Sequence, residues 1–345
     1  PYTPLHHLLL DAAGGPLVMT SGNLSGEPQA IGNGEAREKL GAFTDGFLMH
    51  DRDIARRLDD GVEAMGPAGP IVLRRARGRV PGTMPLPDGL PDAQIAAFGG
   101  QLKSAICLTK NRQALLSHHL GNLDDALTVE EFLKADADMA GLFDHAPAMV
   151  AVDLHPDFQA TQHGLARAEA LGVPLVQVQH HHAHMAAALG EAGWSGELAV
   201  GMILDGLGLG PDGTVWGGEV LLGGYGSVER VGWLRPAPLV GGDRAQEEPW
   251  RNAVVRLDAA GLSELADHLF ADQPRDILRR AAAAGLNAPL SSSAGRLFDA
   301  VAACVGLSSR RQSYEGEAAM LLEAMAVREG GEEAYPFNLD GAEID

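Results

Sequence analysis

Two stretches of this sequence open in the same way. Near 95–121, IAAFGG, SAICLTK and ALLSHHLG read as three consecutive strands with Gly and Asn at the turns. Near 198–234, LAVGMILDG and TVWGGEVLLGGY read again as strands, the second pair hairpin-like. Behind the first opening, TVEEFLKADADMAGLF carries a helical pattern, with Thr128 as N-cap and Glu131 three residues on. AMVAVDLH then reads as a buried strand, ATQHGLARAEALG as a helix and PLVQVQ as another strand. Behind the second opening, residues 244–330 are mostly helical and rich in Ala, Leu and Arg. This order predicts an α/β fold with a duplicated core, an arrangement that places a nucleotide in the cleft between its halves.

Residues 1–80 read differently. PLVMTSG, FLMHDR and PIVLRRARG look like short strands separated by polar loops, and PGTMPLPDGLPDA follows as a Pro- and Gly-rich linker over 81–93. A chain of 345 residues divides naturally here, into 1–80 and 94–345, the latter with subdomains near 94–197 and 198–345. The formal charge of −20 repels phosphate backbones and argues against nucleic-acid binding. Two distant cysteines, Cys107 and Cys304, form neither a zinc motif nor a disulfide scaffold, which points to the cytoplasm. No apolar run is long enough to span a membrane. The ends, PYTPLHHLLLD and GAEID, read as interior sequence, so a fragment is expected.

The sharpest local signal is VQVQHHHAHMAAALGEAG. On a helix, His180 and His184 project from one face and can bracket a metal ion, with His181 and His182 pointing elsewhere. No Glu lies between the pair as in a zinc protease, so a peptidase is disfavoured. The competing reading is a strand-end cluster that caps or packs. Asp205, after the next strand, is either a third ligand or the cap of an Asp-Gly turn.

Other motifs are weaker. DGLGLGPDGTVWGG, with Gly206 and Gly208, is either a loop whose N–H groups approach phosphate or a set of hairpin turns. SSSAGRLFDAVAACVGL places Asp299 in the first turns of an amphipathic helix that either faces a ribose or phosphate or is simply capped. In SGNLSGEP, Ser21 and Asn23 either hold a small ligand or form an Asx or Ser turn.

Together these motifs resemble the HypF family, carbamoyltransferases of NiFe-hydrogenase maturation. TSGNLSGEP, HDRDIARRLDDGV and VLRRARGRVPG are similar to the C-terminal part of a YrdC-like domain. LKSAICLTK, LSHHLGNLDD, AVDLHPDFQAT, VQHHHAH, LDGLGLGPDGTVWGGE, GGDRAQEEPWR, GRLFDAVAACVGL and YEGEAAMLLE resemble, in order, a Kae-type, TsaD-like domain. The resemblance implies a partial YrdC-like α/β domain followed by a duplicated α/β domain of the actin and sugar-kinase (ASKHA) superfamily.

It further implies an ATP-dependent enzyme that makes carbamoyl-adenylate from carbamoyl phosphate and ATP. The carbamoyl group then passes to the C-terminal cysteine thiol of a partner, HypE. By this resemblance His180, His184 and Asp205 hold a divalent metal, iron or zinc, and Mg accompanies ATP. Ser21, Asn23, Arg57 and Arg74 become the YrdC-like anion contacts. Gly206, Gly208, Gly241, Gly242, Asp243, Gly295 and Asp299 become nucleotide contacts, and no catalytic residue is assigned. The family's acylphosphatase-like domain, its zinc-finger motifs, the start of the YrdC-like domain and a C-terminal stretch with a further Asp ligand have no counterpart here. DDGV also stands in place of the family's DDSV, and GGQLKS varies the acidic pattern before its Lys. The rival readings are a small-molecule O-carbamoyltransferase, whose domains run in the opposite order, tRNA threonylcarbamoyl modification, and a non-catalytic metal- or nucleotide-binding fragment.

Overall fold

Strands in the first eighty residues are fewer than the sequence predicts, because a strand needs a neighbour to complete its ladder. The computed structural model describes residues 3–345 apart from Ser25, Pro67, Ala68, Ser309, Glu332 and Glu333; Ser25 of SGNLSGEP thus lies outside the described residues. Helices α1 (Pro4–Ala13) and α2 (Asn33–Leu40) precede a hairpin of β1 (Val62–Gly66) and β2 (Gly69–Arg74). β2 bears out the strand expected at PIVLRR, whereas PLVMTSG and FLMHDR form no strand. α1 is closed by Thr3, whose hydroxyl accepts from the N–H of His6, and by Gly14 in the left-handed region.

The chain groups into two compact units. The first comprises Pro1–Pro85, Pro91–Val152 and Pro156–Val176; the second comprises Leu86–Leu90, Asp153–His155 and Gln177–Asp345. The stretch expected as a plain linker contains β3 (Thr83–Pro85), which pairs antiparallel with β6 (Gln113–Leu116). Proline is tolerated there because β3 is an edge strand.

In the first unit β4 (Ile95–Phe98), β5 (Ile106–Lys110) and β6 form the antiparallel meander read from the sequence. β7 (Met149–Asp153) then adds parallel to β4, and β8 (Leu175–Val178) lies outside it, giving the order β3-β6-β5-β4-β7-β8. Between them run α3 (Ala126–Leu142) and α4 (Gln159–Leu171). The N-cap of α3 is Asp125 rather than Thr128: the Asp125 carboxylate accepts from the Thr128 N–H at 3.0 Å. Asp is the better cap because its charge also suits the positive end of the helix. Thr128, Phe132 and Ala135 face inward from α3 onto a core of Phe98, Ile106, Leu108, Val150 and Val152.

The second unit begins with α5 (His180–Glu191) and repeats the meander in β9 (Ala199–Leu209), β10 (Val215–Gly223) and β11 (Val228–Leu234). Short strands β12 (Ala237–Pro238), β13 (Leu290–Ser291), β14 (Leu339–Asp340) and β15 (Glu343–Ile344) extend the sheet. Helices α6 (Arg244–Glu247), α7 (Pro249–Ala259), α8 (Ser263–Leu269), α9 (Arg275–Ala283), α10 (Ala294–Cys304) and α11 (Glu317–Glu329) fill 244–330, as expected from composition. A core of Trp250, Val254, Phe270, Leu278 and Ala300 joins α7–α10, and Met185 of α5 packs with Ile203, Trp216 and Leu221 of the sheet. One contrast separates the two meanders. β4 has a parallel partner in β7, but β9 pairs only with β10 among the described residues. Val200, Met202 and Leu204 on β9 stay 67%, 73% and 57% exposed. No helix among the described residues is long and apolar enough to cross a membrane.

Candidate functional site

α5 starts where Gln179, with φ −64° and ψ 133°, accepts through its side-chain oxygen from the His182 N–H at 2.9 Å. From that start His180 and His184 stand one turn apart on one face, with Nε2 atoms separated by 3.2 Å. Asp205 of β9 brings Oδ2 to 3.3 Å from His180 Nε2 and 4.0 Å from His184 Nε2. Ligand atoms about 2.1 Å from one ion lie roughly 3–3.5 Å apart at tetrahedral angles, so these three atoms surround a point that an ion fits. Asp205 Oδ2 is buried without a hydrogen bond, and among the described residues only His180 Nε2 at 3.3 Å and the more distant histidines face it, so a metal cation could take this position. Oδ1 of the same carboxylate accepts from the Gly206 N–H at 2.6 Å. Two imidazoles and a carboxylate suit zinc or iron(II), and half-exposed His184 leaves the site accessible from one side.

A carboxylate not singled out in the sequence completes the arrangement. Asp153, at the end of β7, accepts from His180 Nδ1 at 2.7 Å. A carboxylate only accepts, so the Nδ1 proton is directed to Asp153, and once Nε2 gives up its proton the lone pair there faces the ion position. The available signal was its place at the end of a buried strand, in AVDLHPD. Burial pushes the His180 imidazole down, but Asp153 and Asp205 overcome this and raise it to about 9. Burial likewise works against the Asp205 carboxylate, yet His180, His184 and the Gly206 N–H hold it down at about 2. His184 is lowered, by burial and by the neighbouring His180 charge.

His181 departs from expectation. It does not point away: its ring is fully buried, with Nε2 3.6 Å from Asp205 Oδ2 and 3.9 Å from Glu219 Oε2. His181 and Met185 share the sheet-facing side of α5, and that burial depresses the His181 imidazole to about 4. His182 does turn aside, its Nε2 lying 2.9 Å from the Gly224 carbonyl. Glu219 is another group missed from sequence. Its buried carboxylate accepts from the N–H groups of Gly217 and Gly218, both at 2.6 Å, and from Arg230 at 2.8 Å.

Gly206 and Gly208 lie inside β9 rather than in a loop, and Asp205 is mid-strand rather than at a strand end. The glycines serve close packing. A Cβ on Gly208 would stand 2.4 Å from His181 Cε1 and 3.0 Å from His180 Cδ2. A Cβ on Gly295, at the start of α10, would similarly stand 3.1 Å from the Gly206 Cα. Asp299 is turned inward. It is 1% exposed and bound by Arg296 at 2.6 Å and Gln312 at 3.1 Å, with burial raising its carboxyl. Gly241 and Gly242 take left-handed conformations beside Arg251 and Asn287, and Asp243 begins α6. Gly241 borders a cavity of about 180 Å³ with Trp250, Leu278 and Leu286.

Ser21, Asn23, Arg57 and Arg74 are brought together in the first unit. They line a cavity of about 380 Å³ with Asp59, His118 and His119. Arg57 is already held by Glu131 at 2.6 Å and Glu35 at 3.5 Å. Asp59 bonds His119 Nδ1 at 2.7 Å, which lowers its carboxyl despite burial.

Family models match along most of the chain. Residues 1–76 match a Sua5/YciO/YrdC model described as telomere recombination. Residues 91–191 match the HypF Kae1-like domain, and 201–345 match the second subdomain of the carbamoyltransferase Kae1-like domain. Carbamoyltransferase HypF of Rhodobacter capsulatus is 71% identical over 334 residues, covering 96% of this chain and 45% of that protein. Carbamoyltransferase HypF2 of Cupriavidus necator is 46% identical, covering 97% and 43%. A crystal structure of full-length HypF in a phosphate- and nucleotide-bound form superposes with a TM-score of 0.90 at 36% identity, over 100% of this chain and 45% of that one. The structure of T. kodakarensis HypF gives 0.84 at 32% identity, over 94% and 44%. The chain thus spans a little under half the length of these relatives.

Proposed function

This chain belongs to the HypF carbamoyltransferase family, and from that premise we propose that it holds the carbamoyl-transferring metal site of an ATP-dependent enzyme. The observation that carries this reading is the convergence of His180 Nε2, His184 Nε2 and Asp205 Oδ2. A divalent ion held there, zinc or iron, would act as a Lewis acid on an acyl or phosphoryl oxygen. Asp153 directs the His180 lone pair inward, and Gly208 and Gly295 keep the surrounding backbone close.

The proposed substrate is a carbamoyl-adenylate, formed from carbamoyl phosphate and ATP at a YrdC-like site. Ser21, Asn23 and Arg74 would supply anion contacts there, from the cavity they line. In the transfer an acceptor thiolate bonds to the carbamoyl carbon, the carbon–oxygen bond to phosphate breaks, and AMP leaves with its electron pair. The acceptor would be the C-terminal cysteine of a HypE-type partner. Because the mixed anhydride is sensitive to water, enclosed sites favour its use.

Metal content of the purified chain is the direct test. One zinc or iron(II) per chain, lost when His180 and His184 are both changed to Ala, is the expected result. Equal metal content in the double variant would refute the site. Within the intact enzyme, the same substitutions should abolish thiocarbamate formation on the acceptor cysteine.

A further inference from the structure

The ring of His181 is in a place where its protonation pattern can be read from its neighbours. Gln179 Oε1 accepts from the backbone N–H of His182, at 2.9 Å. A backbone N–H only donates, so this bond fixes which end of the Gln179 amide is oxygen. The amide nitrogen is then directed to the Leu209 carbonyl at 3.2 Å and to His181 Nδ1 at 3.0 Å. An amide N–H facing Nδ1 requires a lone pair there, so the His181 proton sits on Nε2. That N–H is buried, has no hydrogen-bond partner, and lies 3.6 Å from Asp205 Oδ2, which is also buried without a hydrogen bond and has His180 Nε2 3.3 Å away. At 3.6 Å the contact is longer than a hydrogen bond. A shift of the Asp205 carboxylate by a few tenths of an ångström would close it.

From this geometry we infer that His181 is a positioning residue. It is a tautomer-locked N–H donor that orients Asp205 Oδ2 for the ion, and Gln179 sets the tautomer. His181 is not a fourth ligand, because the nitrogen facing the site bears the proton. Gln179 therefore acts twice, capping α5 and determining what the neighbouring imidazole presents to the site. Gly208 is part of the same arrangement, since a Cβ there would come within 2.4 Å of His181 Cε1 and displace the ring. The inference rests on the metal-site reading above, but the tautomer can be tested without metal.

The experiment compares the 345-residue chain with H181Q, H181N and Q179E, in two measurements. Two-bond proton–nitrogen spectra of the metal-free protein should place the His181 proton on Nε2. In Q179E, which offers only acceptors to Nδ1, the proton should move to Nδ1. Competition with a chelator for zinc should leave H181Q within about threefold of the parent, because the Gln amide nitrogen reproduces the donor at the Nε2 position. H181N and Q179E should bind about 10–100-fold more weakly, the range expected for loss of an outer-sphere partner. A parent chain with the His181 proton on Nδ1, or equal zinc affinities for H181Q and H181N, would overturn the inference. Failure of the parent chain to bind zinc would instead remove the metal-site reading, while the ring spectra would still decide the tautomer.

Discussion

Asp153→Asn is the most informative single change at the metal centre. In the metal-free protein His180 carries a proton on Nε2, where the ion would bind, and its pKa is about 9 against the ordinary 6.5. The sign follows directly. A raised pKa means the proton is held at neutral pH and leaves only as pH climbs through about 9. Metal must displace that proton, so apparent affinity should rise by about tenfold per pH unit from pH 7 to 9, about a hundredfold in all. In the variant the amide oxygen accepts from Nδ1–H without carrying a charge. His180 then titrates closer to its ordinary range, and the slope between pH 7 and 9 flattens. At pH 9 the variant should bind about 10–100-fold more weakly, because the neutral partner leaves a less basic ligand. The two pH profiles therefore converge toward neutrality and separate in alkali. Chelator competition with zinc at several pH values measures both curves. A flat parent profile, or a variant that keeps both slope and alkaline affinity, would refute the Asp153–His180 argument.

Gly208→Ala should lower zinc affinity at least tenfold and cost about 1–3 kcal/mol of stability, since its Cβ falls 2.4 Å from His181 Cε1; calorimetry and metal titration measure these effects. Val200→Lys with Met202→Lys should suppress concentration-dependent association without lowering Tm, because both side chains lie on an exposed apolar edge strand; light scattering reports it. The Asp59 carboxyl is lowered, chiefly by His119, so its contribution is complete above pH 3.8 and disappears as pH falls through its folded value. Asp59→Asn should therefore cost about 1.5 kcal/mol near pH 6, where parent and variant denaturation midpoints differ, with the gap closing in strong acid.

Local periodicity was enough for much of the architecture. Both meanders, the helices behind them and the run of helices over 244–330 follow from residue spacing, because strand and helix repeats bury different sets of side chains. The same reasoning placed His180 and His184 on one helical face, since four residues nearly complete a turn. It failed where the outcome depended on a neighbour distant in sequence. PLVMTSG and FLMHDR have strand composition but no ladder partner, and the Pro-rich 81–93 stretch contains a strand because β6 offers an edge. Gly206 and Gly208 read either as a phosphate loop or as hairpin turns, and pairing with β10 instead holds 199–209 extended, with the histidines beside Gly208. Asp153, Gln179, His181 and Asp205 become one polar assembly only when the end of β7, α5 and β9 come together. The chain alone therefore determined which atoms were available as ligands. Tertiary packing decided which lone pairs and protons face the ion position, because those directions depend on hydrogen-bond partners supplied by other elements.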